Sequence, residues 1–147
     1  MRVKSFLLML VAGMAATLAG CGSVDSAVPV GFVDICAEDD RWISAEGILG
    51  LADQTTCESI GDSQQCHIVL LNPDDSSQSV TVTIEVGDGA NQMASLPTGY
   101  SDADLAVQDN VGSTHGAGDR VKVTGPASNN EAQYACRVWV RRIETVP

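Results

Sequence analysis

Gly118-Asp-Arg-Val-Lys-Val-Thr-Gly125 reads as one strand set between two turns. A Gly-Asp pair opens it and a glycine closes it; Val121 and Val123 point one way, Arg120, Lys122 and Thr124 the other. That alternation is the period of a strand with one face in a core. The same period recurs along the chain. In Arg41–Leu51, Ile43, Ala45, Gly47 and Leu49 alternate with Trp42, Ser44, Glu46 and Ile48, and a glycine inside a strand marks a bend. Ala52–Ser63 reads as a polar loop. Gln65–Leu71 is a second strand, ended by the turn residues Asn72-Pro73-Asp74-Asp75, and Val80–Val86 is a third. Tyr100–Val107 predicts a short helix, with Ser101 as its cap and Asp102 and Asp104 in its first turn. In the last strand, Ala135–Glu144, Cys136, Val138 and Val140 share one side, Arg137, Trp139 and Arg141 the other.

The order is therefore all-β: three strands, one short helix between strands three and four, then two strands. It resembles the OB-fold, a small five-stranded barrel, from about Trp42 to Glu144, and the exported bacterial OB-fold proteins in particular. A small β-sandwich is the alternative these elements allow.

The N-terminus carries an address. Arg2 and Lys4 precede an uncharged, mostly apolar run from Phe6 to Ala19, the length of a signal-peptide core rather than of a membrane span. The run ends in Leu18-Ala19-Gly20-Cys21, which resembles the lipobox of bacterial lipoproteins. The resemblance implies cleavage before Cys21, lipidation of that cysteine, and a place in the cell envelope on the extracytoplasmic side. The organisation expected is a signal peptide over 1–20, a lipidated tether over 21–30 and one domain over 31–147.

The chain has 8 basic and 19 acidic residues. Removing the signal deletes two basic residues and no acid, leaving 6 minus 19, or −13. A polyanion is repelled by such a balance, so nucleic acid is not an expected partner. Four cysteines remain beyond Cys21: Cys36, Cys57, Cys66 and Cys136. In an exported chain an even number reads as two disulfides, and no spacing here matches the close pairs of a zinc site. Of three connectivities, Cys57–Cys66 with Cys36–Cys136 is preferred; one closes a local loop, the other ties the start of the domain to the last strand.

OB barrels bind ligands across strands two and three. Those strands offer His67, Thr81, Thr83 and Glu85, with no aromatic and no Lys or Arg, and the loop before them adds Asp53, Glu58 and Asp62. The candidate ligand-binding residues are Arg137, Trp139 and Arg141, an aromatic between two guanidiniums suited to a saccharide or small anion, though off the face the family uses. The competing reading is a Trp covered by Arg stems. His67 and His115 are the only histidines, no nucleophile motif surrounds them, and His115 sits in a loop. The acids at Glu38-Asp39-Asp40, Asp74-Asp75 and Asp102/Asp104/Asp109 lack the spacing of a calcium loop. The expectation is a non-enzymatic module without cofactor or metal, bound to the membrane by lipid and to an envelope protein or a saccharide.

Overall fold

The computed structural model describes residues 22–129, 132 and 134–147. The expected signal peptide and the expected lipidation site, Cys21, lie outside the described residues. The strands run β1 (Val28–Pro29), β2 (Arg41–Gly50), β3 (Thr56–Ile60), β4 (Ser63–Leu71), β5 (Ser79–Glu85), β6 (Val107–Gln108), β7 (Thr114–His115), β8 (Arg120–Ser128), β9 (Arg137–Trp139) and β10 (Arg142–Thr145).

β8, the strand of the opening stretch, pairs antiparallel with β2 from Arg41↔Ala127 to Ile48↔Arg120. Following β2 the other way, β4, β5 and β9 lead back to β8, so the sheet closes. β9 and β10 are halves of one interrupted strand, which makes a five-stranded, OB-like barrel. β5 and β9 run parallel while the other barrel pairings are antiparallel. The inward side of each strand supplies the core: Ile43, Ala45 and Leu49, Ile68 and Leu70, Val82 and Ile84, Val121 and Val123, Val138, and Ile143 are all buried.

The final strand departs from the simple alternation expected over Ala135–Glu144. β9 pairs with β8 as Ala127↔Val138, and β10 as Thr124↔Arg142. Three steps along β8 therefore face four along the last strand, which is a β-bulge. Val140 and Ile143, three apart, are both buried because the extra residue inverts the phase. Arg141 donates its amide to the Thr124 carbonyl at 2.8 Å, and β10 pairs only with β8. Gly125 sits at this crossing. A Cβ there would overlap the Trp139 carbonyl oxygen and lie 2.8 Å from its carbonyl carbon. Pro126, beside it in a bulged register, has no amide to leave unpaired.

Both barrel ends are closed by chain. Residues 86–118 cover the end where β5 finishes and β8 starts, burying Met93, Leu105 and Val107. The helix expected here is a single 3-10 turn, Asp102–Asp104, capped by Ser101 and Asp104 reciprocally. It stops because Val107 is drawn into the β6–β7 pair opposite His115. His115, expected in a loop, is itself buried in β7, where its Nε2 lies 3.2 Å from Asp109 Oδ2. Asp109 is fully buried and also accepts from the Thr145 hydroxyl and the amides of Val111 and Ser113. Burial alone would raise its carboxyl; those bonds outweigh it and hold the group well below the ordinary carboxylate range.

The other end is closed by the 3-10 turn Phe32–Asp34 and by Ile35, which is buried. Cys36 is bonded to Cys136, just ahead of β9, and Asp39 accepts from the Ser128 hydroxyl and the Asn129 amide. The stretch read as a tether is laid along the barrel: Val28 and Pro29 pair in parallel with Ile43 and Ser44, and Val30 donates to the Ser44 carbonyl.

The polar stretch expected to be a loop, Ala52–Ser63, contains β3, which forms a hairpin with β4. Every residue of β3 is exposed, so it has no buried alternate face to announce it. Gly61 (φ 60°) makes the turn, and Cys57 faces and bonds Cys66 across the pair. Two disulfides are compatible with an extracytoplasmic setting.

Candidate ligand-binding face

On the outer side of the barrel, alternate residues of four strands come into register. One lateral row reads Thr56, His67, Thr83, Trp139, from β3 through β4 and β5 to β9. The next row toward the β3–β4 hairpin tip reads Glu58, Gln65, Glu85, and the row behind reads Val69, Thr81, Arg137. The strand-two and strand-three residues picked out from the sequence thus lie beside Arg137 and Trp139. The sequence had placed the Arg–Trp stripe on a different face; the parallel β5–β9 pairing corrects that.

The centre of the face is His67, which is buried although it points outward. Its Nε2 lies 3.0 Å from Glu58 Oε1 and its Nδ1 2.9 Å from the Thr83 hydroxyl. Glu58 also accepts from the Gln65 amide at 2.8 Å. Gln65 foremost, then His67, holds the Glu58 carboxyl below its usual range, with slight opposition from burial. An ionised Glu58 accepts from Nε2–H, and the Thr83 hydroxyl is bonded to Nδ1 on the other side of the ring. Glutamate, histidine and threonine stand in the order of a nucleophile relay, but Thr83 is only 3% exposed and its hydroxyl is committed to the ring.

Tyr134 was not singled out from the sequence. It comes from the β8–β9 connection and lies 5.2 Å from the His67 ring, and the Arg137 guanidinium sits 5.0 Å from its centroid. The same guanidinium lies 4.0 Å from the Trp139 ring, so Arg137 is stacked against two aromatics. Arg141 is displaced beyond the bulge. It nevertheless lines, with Ile60, Ser63, Gln65, Glu85 and Trp139, a cleft of about 240 Å³. A second cleft of about 260 Å³ opens between His67, Thr81, Tyr134, Gln54 and Thr56.

The remaining candidates go elsewhere. Asp53 lies with Tyr100 and Ser101 by another depression. Asp75 caps its own turn through Ser77, which holds its carboxyl low, and Glu38 pairs with Arg41. Among the described residues, no group of three or more His, Cys, Asp or Glu is placed to hold a metal ion. Arg120 pairs with Glu46, while Lys122 and Arg142 both pair with Glu144.

The architecture is that of an OB-like barrel with a polar and aromatic outer face on strands two, three and five. Comparison with family models, with curated proteins and with solved structures yields no match.

Proposed function

We propose that the chain is a lipid-anchored, extracytoplasmic binding module of the bacterial cell envelope, and that it takes a saccharide in the cleft beside Trp139. The observation that carries this reading is where that cleft lies. It sits on the barrel face that OB-folds use for ligands and combines an indole with the amide of Gln65, the carboxylate of Glu85, the guanidinium of Arg141 and the Ser63 hydroxyl. A few convergent polar groups around an apolar plate are the makings of a ligand site. An indole offers a flat surface to the C–H face of a sugar ring, and planar polar groups address neighbouring hydroxyls in pairs. Arg137 stacked on Trp139 holds the indole in place before a ligand arrives, lowering the ordering cost of binding.

A small anion is the weaker partner. Of the two guanidiniums flanking the indole, Arg137 is stacked between rings and Arg141 shares its cleft with Glu85. Nucleic acid is weaker still, because Arg41, Arg120, Lys122 and Arg142 are engaged in ion pairs and the balance beyond the signal is −13 (6 minus 19). The bland function of envelope contact through a broad apolar patch gains no support from the exposed large hydrophobics Val28, Val33, Ile60 and Val111, which are spread over three regions.

Titration of the isotope-labelled domain with neutral and acidic oligosaccharides, read by amide shifts, tests the proposal. Shifts should centre on Gln65, Thr83, Glu85 and Trp139, and Trp139→Ala should abolish them. Shifts elsewhere, or micromolar binding of a mixed-sequence oligonucleotide that Trp139→Ala removes, would overturn it.

A further inference from the structure

From Gly22 onward, the segment that follows the expected lipid attachment is docked on the barrel. A Cβ on Gly22 would fall within the Trp42 indole, 2.6 Å from Nε1 and 2.8 Å from Cγ, so the backbone at 22 lies directly on the ring. From there Ser23 and Ser26 close the 3-10 turn Val24–Ser26 on each other, with the Ser23 amide 2.7 Å from Ser26 Oγ. Val28, Pro29 and Val30 are then tied to Ile43 and Ser44. Every part of the segment that a lipoprotein would use as a spacer is engaged with the domain or with itself.

From this geometry we infer that the barrel end bearing Trp42 rests on the bilayer surface, with Trp42 in the headgroup layer. The inference rests on the lipid-anchor reading. One residue, Cys21, would separate the acyl chains from Gly22, and one residue of extended chain reaches about 3.6 Å. The polar layer on each side of the hydrocarbon is thicker, about 5–7.5 Å from half the difference between a core of ~30 Å and a total of ~40–45 Å. The indole under Gly22 therefore cannot clear that layer while the segment stays docked. Tryptophan is a residue suited to such a position, apolar in body and with one N–H to satisfy.

Neighbouring residues agree with a shallow contact. Val28 pairs beside Trp42's neighbour Ile43 and is 39% exposed; Val33, in the turn that closes the same barrel end, is 74% exposed. Glu38, Asp39 and Asp40 also lie at this end, where Glu38 is paired with Arg41 and Asp39 bonds Ser128 and Asn129. These acids oppose deeper insertion and close approach to anionic lipid, so the surface fits zwitterionic headgroups. The orientation has a consequence for the ligand face. Gln65, near the start of β4, and Glu85, the last residue of β5, lie toward the opposite end from Trp42 and face away from the membrane, while Trp139 stands nearer, two strands from Trp42 across β8.

The chain has two tryptophans, Trp42 and Trp139, so each can be observed alone. Full-length lipidated protein, as Trp139→Phe and separately as Trp42→Phe, is reconstituted into phosphatidylcholine vesicles with bromine near the top of the acyl chains. In Trp139→Phe, Trp42 should lose at least half its emission relative to unbrominated vesicles; in Trp42→Phe, Trp139, two strands away, should lose clearly less. A Gly-Ser spacer inserted between Cys21 and Gly22 should restore much of the Trp42 emission. Near-ultraviolet circular dichroism confirms that each variant is folded. Protein that floats with the vesicles but keeps Trp42 unquenched refutes this inference and leaves the anchor standing. Protein that does not float refutes the anchor and the inference together.

Discussion

Gly125→Ala is the sharpest test of how the barrel closes. The added methyl would occupy the Trp139 carbonyl oxygen and stand 2.8 Å from its carbonyl carbon and 3.4 Å from the Arg141 nitrogen. Ordinary contact begins at 3.4 Å, and both near atoms are backbone, so no side-chain rotation relieves the overlap. β9 must retreat from β8. It is held on the other side by the parallel ladder to β5 and, just upstream, by the Cys36–Cys136 bond. Overpacking of this kind costs about 2–3 kcal/mol. At roughly 4 °C per kcal/mol for a domain of this size, the melting temperature should fall by about 8–12 °C. Because Trp139 is the residue displaced, its near-ultraviolet dichroic band should weaken and the Arg137–Trp139 stack loosen. Urea unfolding followed by fluorescence reads the first effect, and dichroism the second. A variant within about 0.5 kcal/mol of wild type with an unchanged Trp139 band would refute the bulge as the reason for this glycine.

Two further substitutions separate local from global constraints. Replacing Cys36 and Cys136 by Ser opens a loop of separation 100 and should cost about 4–5 kcal/mol, against about 2–3 kcal/mol for Cys57 and Cys66 at separation 9; urea midpoints that reverse this order would contradict it. Asp109→Asn keeps the shape but cannot accept from both Thr145 and His115 at the altered oxygen, and should cost about 2–3 kcal/mol at pH 7. Its carboxyl titrates lower in the folded than in the unfolded protein, where it lies near ~3.9. The stabilisation is therefore complete above that unfolded value and is lost as pH falls below it. Urea midpoints across the acid range should show a shallower acid limb for Asp109→Asn than for wild type, and equal limbs would refute the assignment.

Strand identity and the inward residues were legible in the sequence because alternation is a local property. Val121 and Val123, Val82 and Ile84, Ile68 and Leu70 declare which side is buried without reference to partners, and their order along the chain sufficed for a five-stranded barrel. β3 escaped because all five of its residues are exposed, and a strand with no buried side leaves no period to read. The short helix was overread: Ser101 and the acids after it do cap a turn, but the pull of Val107 into the sheet ends it there. The break in the last strand was invisible as well, since one extra residue at Val140–Arg141 matters only against the count on β8. The ligand face shows most clearly what only the tertiary structure decided. Glu58, His67, Thr83 and Trp139 span 82 positions of sequence and share rows because β3, β4, β5 and β9 pair in one register, one of those pairings being parallel and long-range. Alternation says which way a side chain points; pairing, made between distant segments to satisfy backbone groups and close the barrel, decides what it points beside.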